Sequence, residues 1–146
     1  DIDVVPLADG RFLAVIREHL TRQSVFAHSS ADGRSWTPIR PPPFKGANFK
    51  VHRLPSGAVL CAYRDLDPAR PGVSLSVTND GGEHWCYAGQ LYAADPATDD
   101  VTGSSGVPCG YPDFVQLDDD HLGCVLHTYR DETGRVDLHW LKLRIQ

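Results

Sequence analysis

A chain of 146 residues, of which 41% are hydrophobic and 23% are charged, is long enough to form one domain with a substantial core. It contains no apolar run near the ~18 residues that cross a bilayer and no signal-peptide pattern, which favours a soluble protein, secreted or cytoplasmic, without a membrane partner. The net charge of −5 and the scattered arginines disfavour nucleic acid as a partner.

Three segments of the chain share one layout of strand, tight polar turn and apolar strand. They are DVVPLADGRFLAVIRE from Asp3, FKVHRLPSGAVLCAYRD from Phe49 and PDFVQLDDDHLGCVLHTYRD from Pro112. In each segment a leucine comes directly before the turn: Leu7, Leu54 and Leu117. The second strands are almost wholly apolar, which is typical of strands covered on both faces. The repeat therefore predicts a stack of similar sheets.

A third strand follows each hairpin. It is clearest in GVSLSVT, which alternates apolar and polar residues with the period of a pleated strand, and SVFAHS and VDLHWLKLRI are the matching segments. In the first two repeats, TPIRP and CYAGQLY predict a fourth strand. Since no helical periodicity is visible, the sequence predicts a single all-β domain, 1–146. Its architecture would be about three four-stranded antiparallel blades of a β-propeller, at about 1–43, 44–93 and 110–146.

The stretch TNDGGEHW, Thr78–Trp85, has the composition of a tight turn. Asn79, Gly81 and Gly82 can adopt positive φ, and the Asp80 carboxylate can accept hydrogen bonds from the turn backbone. The tryptophan is expected to pack back across the turn. We interpret the stretch as a local staple that stabilises one blade and need not contact a ligand.

The pattern Ser/Thr-x-Asp-x-Gly-x-x-Trp resembles the Asp-box of sialidases and related bacterial-neuraminidase-repeat proteins. The residues that match it fully are Thr78, Asp80, Gly82 and Trp85. A degenerate copy, SSADGRSW, carries Ser29, Asp32, Gly33 and Trp36. In this copy Ala31 stands at the aspartate position and Asp32 comes one place later. Asp-boxes also occur in propellers without catalytic activity, so they indicate the fold rather than the function.

The resemblance implies a six-bladed propeller, which needs about twice this length if each blade takes ~45–60 residues. The chain is accordingly interpreted as the C-terminal three blades. Three blades alone expose strand edges, which natural proteins avoid. A missing N-terminal half or a second copy of the chain is therefore an expected partner.

Sialidases hold the substrate carboxylate with arginines and use a tyrosine nucleophile, because a neutral nucleophile is not repelled by an anionic sugar. The segment CGYPDFVQL resembles the place of that tyrosine, so Tyr111 is the candidate nucleophile. The alternative is that Tyr111 is a turn aromatic beside Pro112.

Arginines recur at positions that suit a carboxylate clamp. Arg17, Arg64 and His127 stand in the same register at the ends of the second strands, and inner-strand ends are where propellers gather ligand groups. Arg70 precedes its Asp-box as the third arginine of sialidases does, with a solvated loop arginine as the alternative. These four residues are the candidate substrate-binding residues.

The glutamate that activates the family's tyrosine has no clear counterpart. Counted back from Arg17, its position falls at Asp1 or Asp3, and both are kept as catalytic candidates. The same count from Arg64 falls at Asn48. This departure from the family pattern weakens the expectation of sialidase activity.

No metal or cofactor is expected from the spacing of the cysteines and histidines. The cysteines are Cys61, Cys86, Cys109 and Cys124, of which the first and last lie in apolar strands. Their disulfide pairing is open. The histidines are interpreted as surface or loop residues. The turn formers of 94–110 predict a long loop that borders the central pocket.

Three functions are consistent with these features. The leading hypothesis is a sialidase-like glycoside hydrolase, or part of one, that acts on a terminal acidic sugar. The second is a carbohydrate-binding or scaffold propeller without activity, and the third is an enzyme of the same fold that cleaves another polysaccharide linkage. Each of these functions implies a carbohydrate ligand, except that of a propeller that serves only as a scaffold.

Overall fold

The computed structural model describes residues 2–17, 24–95, 109–129 and 135–145. These residues form ten β-strands and no helix. The strands are β1 (Ile2–Pro6), β2 (Phe12–Arg17), β3 (Ser24–His28), β4 (Gly46–Arg53), β5 (Val59–Asp65), β6 (Gly72–Thr78), β7 (Cys86–Ala93), β8 (Cys109–Asp118), β9 (His121–Tyr129) and β10 (Val136–Arg144). Within the described ranges, no helix is long and apolar enough to cross a membrane.

Strands that are consecutive in sequence pair antiparallel and form three sheets. Their strand orders are β1-β2-β3, β4-β5-β6-β7 and β10-β9-β8, so every sheet is a meander. We call them the first, middle and third sheets. The predicted all-β fold of successive antiparallel blades is confirmed.

The number of strands differs from the prediction. Only the middle sheet has four strands in the described part of the chain. The segment predicted as the fourth strand of the first sheet meets the sheet only through isolated bridges, Phe26 with Arg40 and Ser29 with Trp36. Pro38 has no amide hydrogen to donate to a ladder, and prolines at 41–43 follow it. The prolines therefore replace the expected strand with an extended connector.

The middle sheet packs between the other two. Strand β4 contacts both β1 and β8, while β2 packs against β4 and β5 packs against β8. The first strands of the three sheets thus lie side by side. Their starting ends meet at one edge of the stack, which positions the candidate site.

An aromatic cluster fills the space between the first and middle sheets. The buried ring of Phe26 lies 5.4 Å from Trp85 and 6.1 Å from both Phe44 and Phe49. Phe44 in turn stacks on Tyr63 at 4.4 Å. The core between the middle and third sheets is mainly aliphatic and consists of Leu54, Ala58, Leu60 and Leu122 with Val73, Cys109 and Leu126.

The two outer sheets each leave apolar side chains exposed. In the first sheet, Ile2 is 70% and Val4 is 47% exposed. In the third sheet, Leu138 is 76% and Trp140 is 59% exposed, and the Trp140 ring lies so close over Gly123 that a Cβ there would be 2.1 Å from it. Large apolar patches on a sheet are unusual on an isolated soluble domain.

The turn Thr78–Trp85, here called the box turn, is closed by hydrogen bonds. The Thr78 hydroxyl donates to Asp80 Oδ1 at 2.8 Å and accepts from the N–H of Gly82 at 3.0 Å. Asp80 accepts from the backbone N–H of His84 at 2.9 Å and from its Nδ1 at 2.7 Å. These donors, the backbone N–H of His84 first, hold the pKa of Asp80 well below its usual value.

The box turn also bonds to the first sheet. The Gly81 carbonyl accepts from His28 Nε2 at 2.6 Å, and the Gly82 carbonyl accepts from the Arg40 guanidinium at 3.1 Å. Arg40 is also paired with Glu83 at 2.8 Å. His28 is therefore not the surface or loop residue that the sequence suggested: it is 3% exposed and reaches across the sheet interface.

The tryptophan of the box turn belongs to the core between two sheets. Trp85 donates through Nε1 to the Gly82 carbonyl at 3.1 Å and packs its ring against Phe26. Positive φ is found at Gly81 (72°) and Gly82 (97°), and the positive φ considered for Asn79 is not observed. The expected local staple thus joins neighbouring sheets.

The degenerate copy, Ser29–Trp36, closes differently. Ser30, rather than Ser29, donates to the Asp32 carboxylate, while the Ser29 hydroxyl accepts from the N–H of Phe12 at 2.8 Å. Trp36 is 45% exposed. This turn therefore keeps the hydrogen-bonded carboxylate of the motif without burying its tryptophan.

Candidate functional site

Three of the predicted site residues meet near the start of β8. The Tyr111 ring stacks on the His127 ring at 5.4 Å, and the guanidinium carbon of Arg64 lies 6.0 Å from the centre of the Tyr111 ring. Tyr111 is 54% exposed, so a ligand can reach it. We call Arg64, Tyr111 and His127 the site cluster.

The strand register explains this convergence. Arg64 pairs with Ala47 in the ladder of β4 and β5, and His127 pairs with Gly110 in the ladder of β8 and β9. The two residues thus hold the same place on successive sheets. Arg17 ends β2 at the corresponding place of the first sheet.

Arg64 reaches from the middle sheet onto the start of the third. Its Nε donates to the carbonyl of Cys109, and a Cβ on Gly110 would lie 2.8 Å from its guanidinium. Burial lowers the pKa of Arg64, and the positive charge of Arg17 lowers it further. Since arginine starts from a very high pKa, Arg64 remains a cation. The Arg64 side chain can lie here because residue 110 is a glycine without a Cβ.

The backbone has an unusual conformation at two equivalent positions. Asn48 and Tyr111 are the only non-glycine residues with positive φ in the described ranges, at 54° and 48°. Each lies where its ladder changes register, between Ala47 and Lys50 or between Gly110 and Asp113. Both residues line one cavity of about 320 Å³. The two bulges therefore place a tyrosine and an asparagine in the wall of the same cavity.

Asn48 is a candidate that sequence reasoning missed. It is 4% exposed, and neither Oδ1 nor Nδ2 has a hydrogen-bond partner within the described part of the chain. A buried polar group without a partner costs about 1–3 kcal/mol. Its sequence signal was weak, because asparagine is common at left-handed positions for purely conformational reasons.

His127 completes the polar side of the site cluster. Burial lowers its pKa, and the Arg64 charge lowers it further, so the imidazole is neutral at neutral pH. Its Nε2 is buried and has no hydrogen-bond partner among the described residues. The ring also contacts Tyr129 edge-on at 4.9 Å.

Asp3 lines the same cavity and is bound to neighbouring strands. Its carboxylate accepts from the N–H of Val51 at 2.8 Å and lies 3.5 Å from Lys50 Nζ. Lys50 also lies 3.3 Å from Asp113. Burial alone would lower the pKa of Lys50, but the two carboxylates outweigh it and raise that pKa. These alternating charges lie on β1, β4 and β8, which are the first strands of the three sheets. They border a second cavity of about 650 Å³.

Arg70 makes its contacts with residues outside the site cluster. It pairs with Asp65 at 3.2 Å and with Asp67 at 2.9 Å, and its guanidinium covers the Tyr87 ring on β7 at 4.9 Å. None of its contacts among the described residues is with Arg64, Tyr111 or His127. These partners explain its position without a ligand.

Several expectations concern other residues. Asp1 and the segment 96–108 of the predicted loop lie outside the described residues. The four cysteines are free thiols, and only Cys86 is exposed. Burial raises the pKa of the Cys124 thiol to about 11, which agrees with a small buried apolar residue. In the described ranges, no group of three or more His, Cys, Asp or Glu side chains could hold a metal ion.

The chemistry of this edge suits an oxygen-rich ligand. Arg64 and Arg17 supply positive charge, Asn48 supplies an unused donor and acceptor, and the ring of Tyr111 supplies an exposed aromatic face. Guanidinium groups bind carboxylates well, while amides bind hydroxyls.

Comparison with solved structures supports the same architecture. The chain aligns over 100% of its length with a protein of unknown function from Dyadobacter fermentans, with a TM-score of 0.77 and 21% identity. It aligns over 97% of its length with the α-L-arabinofuranosidase of Fusarium graminearum. The mutant with an iminosugar inhibitor gives a TM-score of 0.68 and 13% identity, and the arabinobiose complex gives 0.64 and 14%.

The alignment covers 38% of the Dyadobacter protein and 44% of the Fusarium enzyme, so the chain spans less than half of either. No curated protein sequence matches it significantly. Residues 1–127 match a family model described as a BNR repeat-like domain. The chain therefore belongs to the BNR repeat-like family, with three sheets arranged as blades of a sialidase-like β-propeller.

Proposed function

We propose that this chain forms part of a sialidase-like glycoside hydrolase that binds a terminal sugar at the cavity beside the site cluster. The observation that carries the proposal is the convergence of Arg64, Tyr111 and His127, with Tyr111 exposed between a cation and a neutral imidazole. The glycosidase activity of the Fusarium neighbour, which has the same fold, adds support.

An acidic sugar fits the positive charge that Arg64 and Arg17 supply beside the cavity. Arg17 acts electrostatically on Arg64, and we propose that the two guanidinium groups bind one carboxylate together. A carboxylate between them would offset their mutual repulsion. Arg70 is omitted from this clamp because Asp65 and Asp67 already hold it.

Tyr111 is the proposed nucleophile. In this reaction the Tyr111 oxygen forms a bond to the anomeric carbon as the glycosidic bond breaks. The phenolic proton passes to a base, and an acid protonates the departing oxygen. Water then attacks the anomeric carbon of this aryl glycoside, the bond to the Tyr111 oxygen breaks, and the proton that water loses restores the phenol. Asp1 and Asp3 are the candidates for the proton-transferring carboxylates.

A neutral furanoside is a second candidate substrate. The Fusarium structures contain arabinobiose or an iminosugar inhibitor in an α-L-arabinofuranosidase of the same fold. The unpaired amide of Asn48 also suits a ligand rich in hydroxyls. This substrate class corresponds to the third function considered from the sequence.

Further blades are proposed to cover the exposed apolar side chains of the outer sheets. Leu138 and Trp140 on one side and Ile2 and Val4 on the other would then be buried. The further blades would come from another part of a longer protein or from a second copy of the chain. Light scattering of the 146-residue chain distinguishes these cases, because only the second predicts a dimer.

The test is turnover by the full-length protein on aryl glycosides, with an aryl N-acetylneuraminide and an aryl α-L-arabinofuranoside in the panel. We expect turnover of one of them. Tyr111→Phe should reduce kcat at least about a hundredfold, since it removes the attacking oxygen and keeps the ring.

Tyr87→Phe is the matched control. Tyr87 is 50% exposed and also lies under an arginine, but on outer strand β7. It should leave kcat unchanged. Equal turnover by Tyr111→Phe and wild type would remove Tyr111 from the mechanism, and glycan binding without turnover would select the non-catalytic alternative.

A further inference from the structure

The side-chain amide of Asn48 is the most unusual polar group of the cavity. Asn48 is 4% exposed, and neither the donor nor the acceptor of its amide has a hydrogen-bond partner among the described residues. Lys50, Tyr111 and Asp113 line the same cavity. A buried amide that has no partner and belongs to a residue lining a cavity calls for an explanation, and an absent ligand group is one.

The backbone places Asn48 in the wall of the cavity. The register change between Ala47 and Lys50 leaves Asn48 outside the regular ladder, with φ at 54°. Tyr111 holds the equivalent position on the next sheet, with φ at 48°. The two residues therefore line the cavity from neighbouring blades.

The hydrogen-bonding pattern restricts what the ligand can be. A carboxylate has only acceptors, so it would bond to Nδ2 and leave Oδ1 unpaired. A hydroxyl both donates and accepts, and a pair of adjacent hydroxyls can bond to both amide atoms at once. Adjacent hydroxyl groups on an uncharged part of the ligand would therefore satisfy both atoms of the Asn48 amide.

We propose that Asn48 determines specificity by binding adjacent hydroxyl groups of the sugar, with Oδ1 accepting and Nδ2 donating. This inference rests on the proposed sugar-binding function. It places the part of the sugar that carries hydroxyl groups at Asn48, within the cavity, and any acidic group nearer to the site cluster beside the cavity. Asn48 is a binding residue in this account and takes no part in proton transfer.

The first test is Asn48→Gly in the full-length protein. Glycine tolerates the left-handed backbone, and the substitution removes an unpaired buried amide, so the thermal midpoint should stay the same or rise. The value of kcat/KM on the aryl glycoside that wild type cleaves should fall about 10- to 100-fold, as expected for two lost hydrogen bonds. The same substitution at Asn79, in the box turn, is the control and should leave kcat/KM unchanged.

Asn48→Asp is the second variant. It keeps the shape of the side chain and an acceptor but loses the donor and adds negative charge. The loss should therefore be larger for the aryl N-acetylneuraminide than for the aryl arabinofuranoside. Removing a hydroxyl that Asn48 binds, by use of a monodeoxy analogue, should lower kcat/KM more for the wild type than for Asn48→Gly.

The outcomes separate this inference from the proposed function. If Tyr111→Phe abolishes turnover while both Asn48 variants stay within twofold of wild type, the Asn48 proposal is overturned and the glycosidase proposal stands. If the wild type neither cleaves the panel nor binds N-acetylneuraminic acid or L-arabinose in calorimetry, both are overturned. A selective loss in the Asn48 variants supports both.

Discussion

The two ends of the middle sheet differ in how completely their polar groups are satisfied. At the end where Val59 pairs with Thr78, the box turn bonds the Asp80 carboxylate to several donors and buries Trp85 against the next sheet. At the end where Asp65 pairs with Gly72, the neighbouring inner strand holds Asn48 in a left-handed conformation with an unpaired amide. The bonds at the first end stabilise the three sheets, whereas the unpaired amide at the second end lowers their stability.

This contrast separates structural from functional residues without reference to any family. Residues of the box turn find their partners within the chain, so their removal should lower stability and spare activity. Residues at the inner-strand end leave hydrogen-bonding capacity for a ligand, so their removal should lower activity and spare stability.

The largest effect on stability is expected from Trp85→Ala. The substitution removes a large ring that packs between two sheets and donates to the Gly82 carbonyl, so unfolding free energy should fall by about 2–4 kcal/mol. Urea denaturation measures the change. Trp36→Ala is the control, because Trp36 is 45% exposed, and it should cost under about 1 kcal/mol. Equal losses would contradict the distinction between the two boxes.

A moderate effect is expected from Gly110→Ala. The new methyl would lie 2.8 Å from the Arg64 guanidinium, so stability should fall by about 1–3 kcal/mol. Displacement of Arg64 should also lower kcat/KM about 10- to 100-fold. Thermal melts and kinetics measure the two effects. In an Arg64→Ala background the stability cost of Gly110→Ala should shrink, and an undiminished cost would show that the clash lies elsewhere.

The smallest effect is expected from Asp80→Asn, and it should depend on pH. The pKa of Asp80 is lowered in the folded state, so its contribution is fully present above the unfolded value, near 3.8, and is lost as pH falls toward the lower folded value. The stability difference between wild type and Asp80→Asn should therefore be constant near neutral pH and decrease below about pH 4.

Urea denaturation across this range measures the pH dependence. Asp119→Asn, at an exposed hairpin position, is the control and should show little change at any pH. A difference that grows on acidification would contradict the proposed bonding of the Asp80 carboxylate.

Much of the architecture could be predicted from the repeat. Sequence spacing alone aligned Arg64 with His127, and antiparallel pairing preserves such spacing because a ladder advances one residue at a time. The box turn was visible for a similar reason, since its hydrogen bonds join residues close in sequence. Local chemistry and constant register are readable in a single chain.

Long-range partners could not be read in this way. Nothing in the sequence near His28 indicates that it donates to Gly81, which is on another sheet. Arg70 looked like a clamp residue because its distance from the box matched, but two nearby aspartates and Tyr87 hold it. The unpaired amide of Asn48 could not be predicted either, because the absence of a partner is a property of its surroundings.

The central claim is that the ligand binds at the inner-strand end and not at the box turn. Isotope-edited NMR of the full-length protein, labelled at asparagine and tryptophan and titrated with N-acetylneuraminic acid and L-arabinose, tests it directly. Asn48→Gly assigns the Asn48 side-chain NH₂ signals, and Trp85→Ala assigns the Trp85 indole signal. We predict that one sugar shifts the Asn48 signals in a saturable manner and leaves the Trp85 indole signal unchanged. Saturable shifts at Trp85 with none at Asn48, or no shift at either with both sugars, would contradict the account.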